Sequence, residues 1–225
     1  MSTIIDSKYY EVAKPASTAE QLLIKARDQI YADFISRMAP TESCRILDVG
    51  VSDVISEGAN VLERKYQHQK SITACGIGDA CEFQAAFPQV PYVKIVPNAS
   101  LPFESQSFDI VTSNAVLEHV GSNENQKAFV RELCRVGKKV FITVPNRYFP
   151  IEHHTALPLL HYNSRSFELA CAATGRPQWA KEENLILMTR KLLWRLAAEV
   201  DRSTAVGYTG LKLGPFSSNL FLSFN

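Results

Sequence analysis

No block of like charge runs through this chain. Its 24 Lys and Arg residues balance 23 Asp and Glu, leaving a formal net charge of +1 over 225 residues. Such a surface offers no basic stripe to a phosphate backbone, whose grip depends on clustered cations, so nucleic acid is not expected as a partner. Long apolar runs are missing too. Nothing approaches the roughly 20 residues that span a bilayer, and the opening MSTIIDSKYY lacks the basic-then-apolar order of a secretion signal. A cytoplasmic protein without membrane contact is the expectation. Cysteine is sparse and scattered: Cys44, Cys75, Cys81, Cys134 and Cys171 contain no CxxC pair and are odd in number. That disfavours a zinc knuckle, a redox dithiol and a disulfide framework, and leaves reduced thiols. Repeats, low-complexity tracts and linkers are lacking as well, so one large domain is the default.

What is present alternates between two periods. Ser17-Thr-Ala-Glu20 has the pattern of a helix capping box. Leu22, Leu23, Ala26, Ile30, Phe34 and Met38 follow at helical spacing until Pro40 and Thr41 interrupt. Arg45-Ile-Leu-Asp-Val-Gly50 then reads as a buried strand entering a loop. Further short apolar runs at Ile72 to Ile77, Tyr92 to Val96, Phe108 to Ser113 and Lys139 to Val144 read as strands. Helical patterns from about Glu57 to Tyr66 and from Asn125 to Val136 lie between them. Alternation of this kind predicts an α/β fold with a parallel sheet covered on both faces. After Pro145, residues 146–163 carry three histidines and no clear period, the mark of a functional loop. Helices from about Ser164 to Thr174 and Thr189 to Val200, and a last strand from Asn219 to Phe224, complete the reading.

In an open α/β sheet the ligand crevice lies beyond the carboxyl ends of the strands. Asp48-Val-Gly50-Val-Ser52-Asp53 stands at the first such end. There Gly50 permits a tight turn, and Asp48 offers its charge to a cationic amino group. Ser113-Asn114 through His119 stands at the fourth. Glu152-His153-His154 and His161 lie on the irregular segment. Glu with two His is an adequate ligand set for zinc, but adjacent histidines diverge. With no i, i+4 pair or distant matched ligand in view, no metal is expected. Gly76-Ile-Gly78 imitates the start of a dinucleotide fingerprint but follows the second strand rather than the first, and Cys81 stands where its third glycine belongs. Trp194, beside Leu192, Leu193 and Leu196, is expected in the core; Trp179, Phe103 and Tyr148 are candidates for an apolar pocket.

The linear order of Leu101-Pro-Phe103, Phe108-Asp-Ile-Val111, Leu117-Glu-His-Val120, Arg131-Glu-Leu-Cys-Arg-Val136 and Phe141-Ile-Thr-Val-Pro145 resembles the class I S-adenosylmethionine-dependent methyltransferases. The resemblance covers roughly Ile46 to Val144. It implies a Rossmann-like, doubly wound, mostly parallel seven-stranded sheet with a C-terminal antiparallel strand. On that pattern residues 1–40 form a helical segment, 41–145 the cofactor-binding core, 146–203 the substrate loop and helices, and 204–225 the last strands.

It further implies S-adenosyl-L-methionine as cofactor, met by Asp48, Gly50, Ser52, Gly76, Asp79, Asn98, Ala99, Ser113 and Asn114. His119, His153 and His154 become candidate bases for the acceptor, with Glu152 orienting a histidine or binding substrate. The family's first loop has glycine where this chain has Ser52 and Val54. Its ribose-binding acid falls at Gly78 here, leaving Asp79 to serve. The acceptor implied is an oxygen or nitrogen of a small molecule. The run from Pro145 to Pro158 resembles bacterial methyltransferases of surface-polysaccharide synthesis, which suggests a sugar or sugar nucleotide. Two alternatives stand beside this reading: an inactive methyltransferase-like binding or regulatory protein, and an NAD(P)-dependent oxidoreductase.

Overall fold

The computed structural model describes residues 18–225, so the Ser17–Glu20 capping box lies outside the described residues. Helix α1 (Thr18–Met38) comes first. Strands β1 (Ile46–Val49), β2 (Ile72–Gly76), β3 (Tyr92–Lys94), β4 (Phe108–Asn114), β5 (Gly137–Pro145), β6 (Thr204–Leu213) and β7 (Phe216–Phe224) follow. Between them lie α2 (Val61–Lys65), α3 (Cys81–Ala86), α4 (Asn123–Val136), α5 (Ser164–Ala173) and α6 (Arg190–Ala197). The strands form one sheet in the order β3-β2-β1-β4-β5-β7-β6. Strands β1 to β5 are parallel, and β7 runs antiparallel to both β5 and β6.

Strand periodicity of two sorts the core into two layers. Leu47, Val49, Val111, Val140, Ile142, Leu220 and Leu222 face α4 and α6. Ile46, Ile72, Ala74, Ile110, Phe141 and Phe221 face α1, α2 and α3. Full burial of each such side chain stabilises by roughly 1.5–3 kcal/mol. Asp48 is spaced two residues from Ile46 and therefore lies on the α1–α3 face. Phe167, Cys171, Trp179 and Leu185 form a separate apolar cluster below the loop that follows β5.

Helix ends follow their side chains. Ser122 accepts from the Asn125 N–H, Asn163 from Arg165 and Ser166, and Thr189 from Leu192, which starts α4 two residues earlier than the hydrophobic pattern suggests. Helix α4 enters β5 with no loop between Val136 and Gly137. That seam is held by the Gln106 Nε2 and Arg202 Nη1 donors, 3.1 and 2.9 Å from the Gly137 carbonyl. Helix α2 covers only half of the span expected between Glu57 and Tyr66. Asn60, in the left-handed region, grips the Ser52 N–H and carbonyl at 3.0 and 2.8 Å, so residues 51–60 stay a loop. Helix α3, which no sequence signal marked, starts where Asp53 Oδ1 accepts the Phe83 N–H at 2.9 Å.

One tryptophan leaves its expected place. Trp194 is 45% exposed on α6, whereas Trp179 is buried. The α6 face that meets the sheet is filled by Leu193, Leu196 and Ala197, which leaves no room for the indole. All five cysteines are free thiols. Among the described residues no helix is long and apolar enough to cross a membrane.

Candidate functional site

Strands β2, β1 and β4 are parallel neighbours, so their carboxyl ends lie side by side with the first loop, after β1, in the middle. Gly50 has φ +99° and donates its N–H to the Cys75 carbonyl at 2.8 Å. A Cβ there would stand 2.2 Å from Val116 Cγ2, so both backbone and neighbour demand glycine. Ser52 is committed to its own loop: its hydroxyl accepts the Val54 N–H at 3.1 Å. Gly76 lies under the Tyr92 hydroxyl, which donates to the Gly78 carbonyl at 2.7 Å.

Asp48 meets an unforeseen partner, Glu63 of α2. Burial pushes the Asp48 carboxyl up to about 7. Burial, together with the nearby Asp48 charge, holds Glu63 well above the usual carboxylate range. Beyond Asp48, no other side chain among the described residues bonds the Glu63 oxygens. An acidic pair set this close retains a proton that separate carboxylates release, and it favours a cation beside it. Arg27 of α1 brings a cation to the same end. Burial lowers its guanidinium to about 10, and Nη1 lies 3.2 Å from where a Cβ on Gly58 would be.

The other expected cofactor residues divide into exposed and tied groups. Asp79 is exposed and pairs with Lys94 at 2.6 Å, and that contact holds its carboxyl below the usual range. Asn98 and Ala99 form an exposed turn, Asn98 with φ +57°. Ile77 and Val96, 52% and 68% exposed, add apolar surface at the same end of the sheet. Ser113 is buried and donates to the Val49 carbonyl at 2.8 Å, lacing β4 to β1. Asn114 is exposed at the strand end, where its Oδ1 accepts from Thr143.

Beyond Asn114 the chain enters a 3-10 turn, Leu117–His119, in which the His119 N–H bonds the Val116 carbonyl at 2.8 Å. The segment after β5 closes on itself through a bridge between Ile151 and Pro158 and meets this turn through His154. Its order comes from hydrogen bonds rather than periodicity. Arg147 Nε donates to the His161 carbonyl at 3.0 Å, and His161 Nε2 to Phe149 at 2.8 Å.

Within this segment the Glu152 carboxylate accepts from the His154 and Thr155 N–H groups at 2.9 and 2.6 Å, and from the Thr155 hydroxyl at 2.7 Å. Its other oxygen accepts from His154 Nδ1 at 2.9 Å. Burial alone would raise Glu152, but these donors and the nearby His154 bring it down to about 2. Glu152 is thus an anionic anchor for His154.

His154 and His119 meet Nε2 to Nε2 at 3.0 Å, their rings 4.8 Å apart at 85°, with Trp179 beside both. His119 Nδ1 lies 2.7 Å from the Asn184 carbonyl. Burial, then the neighbouring His154 charge, lowers His119 to about 3. Glu118 is buried, its oxygens have no hydrogen-bond partner, and desolvation raises it to about 7. His153 turns away from His154 toward Phe149, at 5.8 Å between rings, and burial lowers it to about 4. The adjacent histidines do diverge, as expected. The premise that no distant ligand matches them is corrected, because Glu118 and His119 come from the end of β4.

Sequence reasoning missed Glu63, Glu118 and Arg27. Glu118 had a visible signal as the acidic neighbour of His119 in Leu117-Glu-His-Val120. Glu63 and Arg27 sit among helical surface charges and carry none.

Residues 58–140 match a family model described as a methyltransferase domain. No curated protein matches the sequence. Among solved structures, an S-adenosylmethionine-dependent methyltransferase from Aquifex aeolicus is 13% identical with a TM-score of 0.59, over 97% of this chain and 98% of that one. Another from Methanosarcina mazei is 17% identical with a TM-score of 0.55, over 84% and 94%. A possible histamine N-methyltransferase from Thermotoga maritima is 12% identical with a TM-score of 0.56, over 91% and 93%. At such identities the likeness speaks for the fold.

Proposed function

We infer that this chain is a class I S-adenosylmethionine-dependent methyltransferase, a reading supported by the methyltransferase-domain match over residues 58–140 and by the fold, and that it passes the sulfonium methyl to a hydroxyl or amine of a small molecule. One observation carries the reading. Val116 packs onto Gly50 while its carbonyl holds His119, so the expected cofactor loop and the imidazole cluster share an edge. A methyl donor on one side of that edge faces a proton acceptor on the other.

The residues present fit the donor. The Asp48–Glu63 pair would suit the ammonium of the methionine portion, and Arg27 its carboxylate. Asp79, once released from Lys94, would hold the ribose. Asn98 and Ala99, with the apolar surface of Ile77 and Val96, would take the adenine. Asn114 would border the methionine portion, with Ser113 holding β4 in register and Ser52 and Gly76 flanking the first loop.

S-adenosylmethionine supplies an activated methyl group when bound. An acceptor hydroxyl or amine would take that methyl as the carbon–sulfur bond breaks, so the part left to this chain is to hold the acceptor, exclude water and take its proton. The acceptor proton passes to the His154–His119 pair, where Glu152 fixes His154 and stabilises the charge it gains. His153 lines the acceptor side rather than serving as the base, because its ring is turned to Phe149 and away from the His154–His119 pair. Sugar or sugar-nucleotide acceptors are the class favoured by the resemblance of residues 145–158.

A second reading, a non-catalytic binding protein, is favoured by the first loop, where Ser52, Val54 and Asn60 bond one another instead of forming a glycine-lined cradle. Calorimetry with S-adenosylmethionine separates the two. Micromolar binding that weakens at least tenfold in Asp48→Ala, followed by S-adenosylhomocysteine release on a panel of sugar nucleotides, supports the enzyme. No heat at millimolar cofactor refutes it, and turnover confined to non-carbohydrate acceptors removes the sugar.

A further inference from the structure

The contact between His119 and His154 poses a problem of lone pairs. Each Nδ1 faces an atom that only accepts: the Asn184 carbonyl at 2.7 Å for His119, and the Glu152 carboxylate at 2.9 Å for His154. Each Nδ1 therefore carries the ring proton, which leaves each Nε2 as the ring's ligand atom in the neutral form. The two Nε2 atoms stand 3.0 Å apart. A shared proton or a cation bound by both holds two imidazole nitrogens at that distance.

A third acceptor joins them. Glu118 Oε1 lies 3.9 Å from His119 Nε2, and neither Glu118 oxygen has a hydrogen-bond partner although the side chain is 1% exposed. One ligand atom each from Glu118, His119 and His154 fall within 4.8 Å of one another. Bonds of about 2.1 Å place adjacent ligands about 3.0 Å apart in an octahedral site and about 3.4 Å apart in a tetrahedral one. The two nitrogens already meet that spacing, and the carboxylate needs to move by about 1 Å. The outer contacts are those of a ligand shell, since metal-bound imidazoles hand their other N–H to a carboxylate or a backbone carbonyl. A cavity of about 10 Å³ lined by Glu118, Glu152, His153, His154 and His161 adjoins the cluster, which is room for roughly one water-sized sphere.

We propose that Glu118, His119 and His154 bind one divalent first-row transition-metal ion. Two imidazoles and one carboxylate favour such ions over magnesium or calcium, and three protein ligands leave coordination positions open. Glu152 and Asn184 are positioning groups that fix the ring nitrogens. A hydroxyl on an open position would be held by the ion and would lose its proton to water more readily, so the ion takes over the acceptor activation assigned above to the histidine pair. That last role rests on the methyl-transfer reading. The binding site itself does not.

The test is binding without turnover. The purified chain, stripped with chelator and dialysed, is titrated with Co²⁺, Mn²⁺ and Zn²⁺ by calorimetry, and Co²⁺ binding is followed by visible absorption. One ion per chain with a micromolar or tighter Kd, and a d–d spectrum of nitrogen and oxygen ligation, is expected. Glu118→Gln and His154→Ala should each weaken Co²⁺ binding at least tenfold, and Glu152→Gln about 10–100-fold. His68→Ala, remote from the cluster, should leave it unchanged. Unfolding curves on the same samples exclude variants that do not fold, and the near-isosteric Glu118→Gln keeps the test decisive. Absent stoichiometric binding at 100 μM ion, or an affinity unmoved in Glu118→Gln and His154→Ala, overturns the site. Turnover of acceptor with no ion bound overturns the ion's role in acceptor activation while leaving methyl transfer standing.

Discussion

Alanine at position 50 tests whether the first loop and the histidine turn are one packed unit. Its backbone sits at φ +99°, where an L side chain costs about 1–2 kcal/mol. Its Cβ would stand 2.2 Å from Val116 Cγ2, an overlap that must be relieved by moving the turn before His119, at about 1–3 kcal/mol. Gly50→Ala should therefore destabilise the fold by about 2–5 kcal/mol. Val116→Ala removes the clashing methyl and leaves Cβ at 3.4 Å, an ordinary contact. Alone it should cost about 1 kcal/mol, because Val116 is only partly buried. In the double variant only the backbone cost of alanine remains, so the two effects should couple favourably by about 1–3 kcal/mol. Urea unfolding of the four proteins, compared at constant m-value, reads this directly. Additivity within about 0.5 kcal/mol would refute the argument, as would a Gly50→Ala cost below 1 kcal/mol.

The acidic pair predicts a pH signature. Asp48 and Glu63 are both raised in the folded state, so the stability they contribute is full below their unfolded values near 4 and is lost as pH climbs through about 7. His119 and His153 act at the other end. They are lowered to about 3 and 4, and their contribution is present above the unfolded value near 6.5 and lost as pH falls through those values. Glu63→Gln leaves the histidine limb intact and flattens the loss between pH 5 and 8, making the variant the more stable protein at pH 8; parallel curves in urea would contradict the pairing. Ser113→Ala deletes the bond to the Val49 carbonyl and should cost about 1 kcal/mol. An unchanged urea midpoint would mean that β4 does not depend on this lace.

The sheet was readable because its strands are short apolar runs punctuated by residues that end them, and Ile46 to Val49 or Phe108 to Asn114 need no partner to announce themselves. Loops were not readable in the same way. The shortened α2 follows from one side chain, Asn60, holding Ser52 eight residues back, a contact with no periodic trace. The site shows the same limit. His119 and His154 each stood out, but their meeting across 35 residues depends on how the loop after β5 folds over the end of β4, and Glu152 and Arg147 set that path. Asp48 was legible as an acid at a strand end. Its partner was not, because Glu63 resembles the solvated glutamates of any surface helix until burial is known.

The loop-free passage from α4 to β5 sets where this protein tolerates a change in length. One added residue at Gly137 would turn the helix by about 100° or slide the strand by one place, sending Val140 and Ile142 to the wrong face. Because β5 leads into the histidine loop, the error would carry to the His119–His154 cluster. The turn at Gly214, where a Cβ would meet nothing within 4 Å, has no such downstream dependence. An engineer choosing a fusion or permutation point should open the chain at that hairpin and leave the helix-to-strand seam unbroken.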